Sequence, residues 1–576
     1  MPIVSHRWPQ PLLALAFGTL LVAGWLNPTH YLPWSAFYSE LPVAVAAIVL
    51  AAAALGSRRT ALVSMPTSAW VCLVLVVVPL LQFLSGKLVF AGDLLLAVAY
   101  LTGIAVCLFV GASAGSESDK GGLIDCIAWS ILCGSLASTA IALQQWFGQA
   151  DWSEWVVQGL PGARADSNLR QANHFATLVM WGMLAAVYLR SHRHVGGVTL
   201  GAVLTFLALG LALSQSRTAW VAWLVMAAWA VFRSENLWRP LGLRFQWVVA
   251  LLLVYVLFLW AVFTLPSHLG LEWGVEAQQR LQVGGRPLIW TQMIEAIRQS
   301  PWAGYGWLQG QSAQADAALA KPGLEFTTYS HNVLLDLLVW NGVPLGVLLS
   351  GVLIAWYVRM GRQANGAADA FRFAALTVFA VHSMLEYPFA YTYFLVPVLL
   401  LAGQLERRAA PAQPHSRRSG LGRGVAIACT VMCGTATFAI ARDYVLVEAD
   451  RREVQMVLSR VGGERPFPSP PDLWVLDQLG AANRAARLVV RQGMPEAELE
   501  ALLRAARRYP GVYLLRVSAA ALAVNGRGSE ALLQLKTLRG LHGEVQYQAS
   551  VAWLSEQAQS QHWPVGSVLN EVSASQ

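Results

Sequence analysis

The sequence predicts an all-α, polytopic membrane fold that carries a helical extramembrane domain at its C-terminal end. Three observations point there. Of 576 residues, 56% are hydrophobic and only 12% charged, with a mean hydropathy of +0.49; soluble domains carry about twice that charged fraction. Apolar runs of roughly 16 to 25 residues, the length that crosses a bilayer core as a helix, recur through the first part of the chain. The arginines fall in short clusters between those runs, as a topology signal does. A β-barrel is excluded, because its strands alternate apolar and polar residues instead of running apolar continuously.

Taken in order, the predicted spans lie near 11–26, 41–56, 68–84, 92–112, 122–147, 173–190, 197–214, 218–232, 246–264, 332–357, 371–387, 390–405 and 424–441. With a cytoplasmic N-terminus, these thirteen spans place Arg58, Arg59, Arg190, Arg193, Arg233, Arg239, Arg244, Arg359, Arg362 and Arg372 in cytoplasmic loops. The same side holds the Pro/Arg-rich linker 409–423, with Arg407, Arg408, Arg417, Arg418 and Arg423 in and around it. The opposite short loops are poor in Lys and Arg, which is the positive-inside pattern. It puts the 148–172 loop, the long 265–331 loop and everything after 441 on the outer face. The first apolar run lacks a small-residue cleavage site and is expected to be a retained helix.

The division expected is therefore a transmembrane domain over 1–441 and a helical outer domain over 442–576. The latter is rich in Ala, Leu, Arg and Glu, with apolar residues at helical spacing in 497–508 and 513–524. Pro510-Gly511 and Asn525-Gly526 punctuate it. Helix pairs of this length are like tetratricopeptide hairpins, although no sequence repeat is evident. Its role is either packing on the core or binding an acceptor or partner.

The net charge of +8 belongs to the topology signal and does not indicate nucleic acid. All six cysteines fall inside predicted spans, so neither a disulfide framework nor a CxxC metal site is expected. There is no Walker A motif, GxSxG elbow, HExxH or outer-loop acidic metal pair. The paired charges of a proton pump and the internal symmetry of many transporters are missing as well.

Chemistry is expected where the long outer loop meets the next span, at Thr328-Tyr329-Ser330-His331-Asn332. His331 is the natural general base at neutral pH, or else a cap or packing residue. Asn332 is placed to cap the following helix. Asp336, one turn on, either orients His331 or bonds within the bundle. Basic residues on the outer side run against the charge rule, so each calls for an explanation: an anion, or else snorkelling or an acid partner for Arg217 and plain solvation for Arg298. These basic residues are Arg280, Arg286, Arg298 and Lys321 in the loop, and Arg217 in Ser214-Gln215-Ser216-Arg217-Thr218. Guanidinium forks match phosphate oxygens, and Arg217, Arg280 and Arg286 would suit a lipid diphosphate. At Gln171-Ala172-Asn173-His174 two amides and an imidazole open a span, ready to bond sugar hydroxyls or diphosphate or to cap the helix. His382 and Glu386 stand at i and i+4; two ligands make weak evidence for a metal, and His–Glu pairing inside the bundle is favoured. Glu40 is an outer acid without an evident task.

Four segments carry a family resemblance. They are NPTHYLPWSAFYSE at 27–40, NLRQANHFATL at 168–178, SQSRTAW at 214–220, and a last one running from RPLIWTQMIEAIRQSPWAGYGW at 286–307 through YSHNVLLDLLVWNGVPLG at 329–346 to HSMLEYPFAYTYFLVP at 382–397. With these the chain resembles the PglL-type protein O-oligosaccharyltransferases (pilin glycosylation ligases) of the O-antigen ligase/polymerase (WaaL/Wzy) superfamily. The resemblance implies a GT-C-like membrane architecture in the bacterial inner membrane, with its active site facing the periplasm. It implies a metal-independent, inverting glycosyltransferase without cofactors, which takes a glycan from undecaprenyl diphosphate and gives it to a periplasmic protein such as pilin. It assigns catalysis to His331 and substrate binding to Arg217, Arg280, Arg286, Gln171 and Tyr387, with Asn332, Asp336, Asn173 and Glu386 in support. Lipid A-core ligation and glycan polymerisation are the neighbouring alternatives. A lipid-linked glycan transporter, in which the arginines merely guide a headgroup, is the alternative from another class.

Overall fold

A computed structural model describes residues 10–56, 65–114, 122–148, 154–159, 164–233, 241, 244–269, 285–323, 326–409 and 418–574. All regular structure among them is helical. The helices are α1 (Pro11–Leu26), α2 (Phe37–Gly56), α3 (Thr67–Leu75), α4 (Val77–Leu84), α5 (Ala91–Ala114), α6 (Leu123–Trp146) and α7 (Ala172–Ser191). Then come α8 (Gly197–Ser214), α9 (Arg217–Phe232), α10 (Phe245–Leu269), α11 (Arg286–Gln299), α12 (Gly310–Ala318), α13 (Val333–Gln363) and α14 (Gly366–Ser383). The last are α15 (Thr392–Ala409), α16 (Arg418–Leu458), α17 (Asp477–Ala486), α18 (Glu496–Arg508), α19 (Val512–Val524), α20 (Gly528–Gln561) and α21 (Gly566–Ala574).

Every one of the thirteen expected spans coincides with a helix. Among the described residues nine are both long and apolar enough to cross a membrane, with α3 and α4 counted together as one span over Thr67–Leu84. α1 and α9 are apolar but shorter. The chain is thus an all-α, multi-pass membrane protein with a C-terminal helical domain.

The residues group into two compact units. The first contains Met1–Val74, Leu101–Gln282 and Ile354–Thr437; the second contains Leu75–Tyr100, Val283–Leu353 and Phe438–Gln576. In the first, α6 packs on α1 and α7, and α7 packs on α8 and α14. Its core holds Phe17, Trp25, Phe175, Trp181, Tyr188, Phe371 and Phe394. Indole donors are satisfied inside it, with Trp25 donating to the carbonyl of Tyr393 at 3.0 Å and Trp181 to that of Ala375 at 2.9 Å. Glu40 also has a place here. Its carboxylate accepts from the Trp34 indole at 3.0 Å and from the backbone N–H and hydroxyl of Thr392, and so ties the start of α2 to the start of α15.

In the second unit the C-terminal helices α17 to α21 pack successively on one another and on α12. Ala315 and Ala318 of α12 share an apolar core with Leu515, Leu522, Leu535 and Leu538. The C-terminal helices are therefore packed on the segment that leads to His331.

α13 is not one straight helix. Gly342 breaks it with φ 75° and ψ 174°, and Pro344 begins the second segment, where its missing N–H is harmless. Backbone groups freed at the break are met by neighbours. Gly306 N–H donates to the Trp340 carbonyl at 3.1 Å and Val343 N–H to the Pro301 carbonyl at 2.7 Å. Gln82 donates to the Trp340 carbonyl at 2.9 Å and accepts from Trp307 N–H at 3.0 Å. Approach at this joint is close enough that a Cβ on Gly342 would lie 2.6 Å from the backbone of Trp302.

Candidate functional site

The predicted residues fall into two groups, one in each unit. In the second unit, His331 sits between the loop and α13 with φ +61°. That left-handed backbone costs a non-glycine residue about 1–3 kcal/mol and persists only where the surroundings impose it. Its surroundings are polar and hydrogen-bonded, except that the second Asp336 oxygen is buried without a partner among the described residues. Ser330 N–H donates to Asp336 Oδ1 at 2.9 Å, and the Ser330 hydroxyl donates to the Asn332 carbonyl at 2.8 Å. Asn332 Oδ1 accepts from the N–H groups of Leu334 at 3.0 Å and Leu335 at 3.2 Å, so it caps α13 as expected. Asp336 is buried and holds the Ser330 backbone. His331 Nδ1 lies 3.2 Å from the Tyr329 carbonyl. A ring that donates there carries its lone pair on Nε2, the nitrogen then able to accept a proton.

The loop before His331 is braced on several sides. From α11, which begins at Arg286, the Trp290 indole donates to the Ser330 carbonyl at 3.0 Å. Gln292 bonds the Lys321 carbonyl and accepts from Gln314, which in turn accepts from Thr327 N–H. From the C-terminal domain, Arg508 Nε donates to both oxygens of Asp93 at 3.0 and 2.9 Å, and Gln309 donates to the same carboxylate at 3.1 Å. Arg508 also reaches Gln311, whose amide donates to the Thr328 hydroxyl at 3.1 Å. Burial alone would lower the Arg508 pKa; the Asp93 charge more than reverses this and raises it. Asp93 and Arg508 were not expected from sequence. An acid inside the apolar run 92–112 was the signal, because such a group calls for a partner.

The first unit holds the other group. α8 ends in left-handed Gln215 (φ 49°) and α9 starts at Arg217, which fixes the exposed Arg217 at a helix N-terminus where anions are favoured. Its neighbour Ser216 donates to Asn173 Oδ1 at 2.6 Å. Asn173 donates to Glu386 Oε1 at 2.5 Å, and Gln171 donates to Glu386 Oε2 at 2.6 Å. Gln171 therefore spends its amide on Glu386 instead of capping α7. His382 Nε2 lies 3.4 Å from Glu386 Oε2, the intramembrane pair expected. Tyr387 stacks on Tyr391 with ring centroids 5.9 Å apart. His174 is buried and reaches Tyr393 Oη at 3.0 Å. Nitrogen and carboxylate atoms of His174, His382 and Glu386 all lie within 4.8 Å of one another and could together hold a metal ion.

Arg280 lies outside the described residues. Arg298 is an exposed partner of Glu295 at 3.6 Å. An open polar cavity of about 590 Å³ in the second unit is lined by Lys87, Gln299, Ser300, Tyr305, Asp316 and Arg507 among others, none of them a residue expected to carry the chemistry.

Similarity to known proteins covers both groups. A family profile described as O-Antigen ligase matches residues 200–350, one described as Protein glycosylation ligase matches 168–189, and one described as Virulence factor membrane-bound polymerase, C-terminal, matches 371–556. Among curated proteins of Acinetobacter baylyi, the chain is similar to a general O-oligosaccharyltransferase, 30% identical over 406 residues that cover 69% of this chain and 70% of the relative. It is also similar to a ComP-specific O-oligosaccharyltransferase, 27% identical over 64% of this chain and 67% of that one. Those matches, laid over a multi-pass helical fold, establish that the chain belongs to the O-antigen ligase/polymerase (Wzy/WaaL) superfamily as an O-oligosaccharyltransferase-like member.

Proposed function

We propose that this chain transfers an oligosaccharide from undecaprenyl diphosphate to Ser or Thr hydroxyls of a periplasmic protein such as pilin. The general reaction, transfer of a lipid-diphosphate-linked glycan, comes with the family; the acceptor and the mechanism are the proposal. The enzyme sits in the inner membrane, crosses it thirteen times in a GT-C-like arrangement, and works on the periplasmic side. The acceptor oxygen attacks the anomeric carbon, a C–O bond forms to it, and the bond from that carbon to the diphosphate oxygen breaks with inversion. His331 takes the hydroxyl proton. Arg217, Arg280 and Arg286 stabilise the charge gathering on the leaving diphosphate, the kind of term that usually dominates in such sites. Diphosphate leaves readily, so a base and a cationic clamp suffice and the bond-making step uses no metal. Gln171 and Tyr387 bind substrate, with Asn173, Glu386, Asn332 and Asp336 in support.

The observation that carries the reading is His331 itself. It is a half-buried imidazole in a left-handed backbone, braced from α11, α12 and α13, with one ring nitrogen directed at a carbonyl. Such expense of structure on one side chain fits a positioned base. The protein acceptor is supported by the similarity to two O-oligosaccharyltransferases, one of them described as specific for ComP. The O-antigen ligase and polymerase profiles favour a second reading, with lipid A-core or a growing glycan as acceptor. Intact-mass spectrometry of pilin and of lipopolysaccharide from a deletion strain separates the two. Loss of glycan from pilin alone supports the proposal; loss from lipopolysaccharide alone overturns it.

A further inference from the structure

We propose that His174, His382 and Glu386 bind a divalent first-row transition-metal ion, with Zn²⁺ the best fit. The site is structural and does not depend on the glycan-transfer reading. Three side chains from two parts of the first unit converge there: His174 from the start of α7, His382 from the end of α14, and Glu386 from the turn that follows it. All three are buried, and their ligand atoms lie within 4.8 Å of one another.

Two features distinguish this group from an ordinary buried hydrogen-bond cluster. The first is the division of labour on the imidazoles. Each histidine has its Nδ1 engaged by a hydroxyl, His174 by Tyr393 at 3.0 Å and His382 by Thr177 at 2.8 Å. The Nε2 of His382 is thereby left toward Glu386, and that of His174 is left free of the hydroxyl. The outer contact on one ring nitrogen, with the other turned to a common point, is how metal-ligating histidines are held. His174 Nε2 is buried without a hydrogen-bond partner among the described residues. The second is distance. His382 Nε2 and Glu386 Oε2 are 3.4 Å apart, long for a charge-assisted hydrogen bond, which closes to about 2.7–2.9 Å. Zinc bonded to nitrogen and oxygen at about 2.0–2.1 Å sets its tetrahedral ligands about 3.3–3.4 Å from each other. That pair is already at the separation of two ligands of one ion.

Glu386 is supported like a ligand too. Its oxygens accept from Asn173 and Gln171 at 2.5 and 2.6 Å, which orient the carboxylate as outer contacts do in carboxylate-bearing metal sites. Two histidines and one carboxylate are a common donor set for Zn²⁺ and Fe²⁺. The ion's charge offsets a carboxylate that is costly inside a membrane. Through Glu386 it would fix Asn173 and hence Ser216, the residue before Arg217.

The test is metal content. The full-length protein is purified in detergent without a polyhistidine tag, and its metal is counted by inductively coupled plasma mass spectrometry. About one first-row ion per chain is expected. After chelation, Co²⁺ is titrated into the stripped protein and its visible ligand-field bands are followed, with near-UV circular dichroism as the check on folding. His174→Gln is expected to weaken Co²⁺ binding by about 100-fold or more, and Thr177→Val, which keeps all three ligands, by about tenfold. If the His174 variant does not fold, the Thr177 variant alone decides. Purified protein with far less than one ion per chain, whose stripped form gives no Co²⁺ bands, overturns the proposal. So does Co²⁺ binding that is unaltered by the substitutions.

Discussion

Arg508→Ala tests whether the C-terminal domain holds the His331 loop or merely accompanies it. The guanidinium is buried on a buried carboxylate, 2.9 and 3.0 Å from the two Asp93 oxygens. Removing one member leaves the other charge without its partner, a change of about 3–5 kcal/mol in buried pairs. For a unit of this size each kcal/mol moves Tm by about 2–4 °C, so a loss on the order of 10 °C is expected from thermal unfolding in detergent. Asp93→Leu alone should do the same. The double variant Asp93→Leu/Arg508→Met removes both charges and should recover most of the loss, because a buried pair replaced by apolar side chains is often neutral. Hydrogen exchange should report the consequence at the loop. With the Arg508–Gln311–Thr328 connection cut, amides of 309–331 should exchange faster in the single variants. Single variants that each shift Tm by less than about 2 °C, or losses that simply add in the double variant, would refute the reasoning.

Other expectations concern the same scaffold. Asn332→Ala removes the acceptor of two N–H groups at the start of α13 and should cost about 1 kcal/mol, read as a small fall in Tm. Gly342→Ala places a Cβ 2.6 Å from the Trp302 backbone at a φ of +75°; both strain and overlap act, and a loss of about 1–3 kcal/mol or misfolding is expected in the same assay. Burial pushes Asp166 from 3.8 up to about 6, against the pull of Arg170. A folded-state pKa above the unfolded value gives stability that is present below the unfolded pKa and lost as pH rises through the folded one. Wild-type Tm should therefore carry a falling component between about pH 4 and pH 6 that Asp166→Asn lacks.

Much of the fold was legible because a bilayer allows few solutions, and the apolar runs coincide with helices at each expected position. The break in α13 was less so. The run 332–357 reads as one span, yet Gly342 and Pro344 within it end one helical segment and start another. Asn332 was legible as a cap, since its chemistry is local. Asp336 was expected either to orient His331 or to bond within the bundle; its carboxylate holds the backbone of Ser330, one residue away from the ring. Gln171, Asn173 and Glu386 could each be singled out, but not that both amides bond the Glu386 carboxylate, more than 200 residues on. Arg508 and Asp93 are 415 positions apart; no local pattern links them, and only an isolated acid in an apolar run hinted that a partner existed. Buried polar groups are where sequence reasoning falls short, because each is explained by a residue that the fold alone brings near.

The most direct test of a positioned base is transfer by His331→Asn in proteoliposomes with purified lipid-linked glycan and acceptor protein. Asparagine tolerates the left-handed backbone at this position, so the loop is kept while the basic nitrogen is removed. Transfer should fall by about 10²–10⁴-fold while the donor still binds. Near-normal transfer by this variant would contradict the assignment of His331.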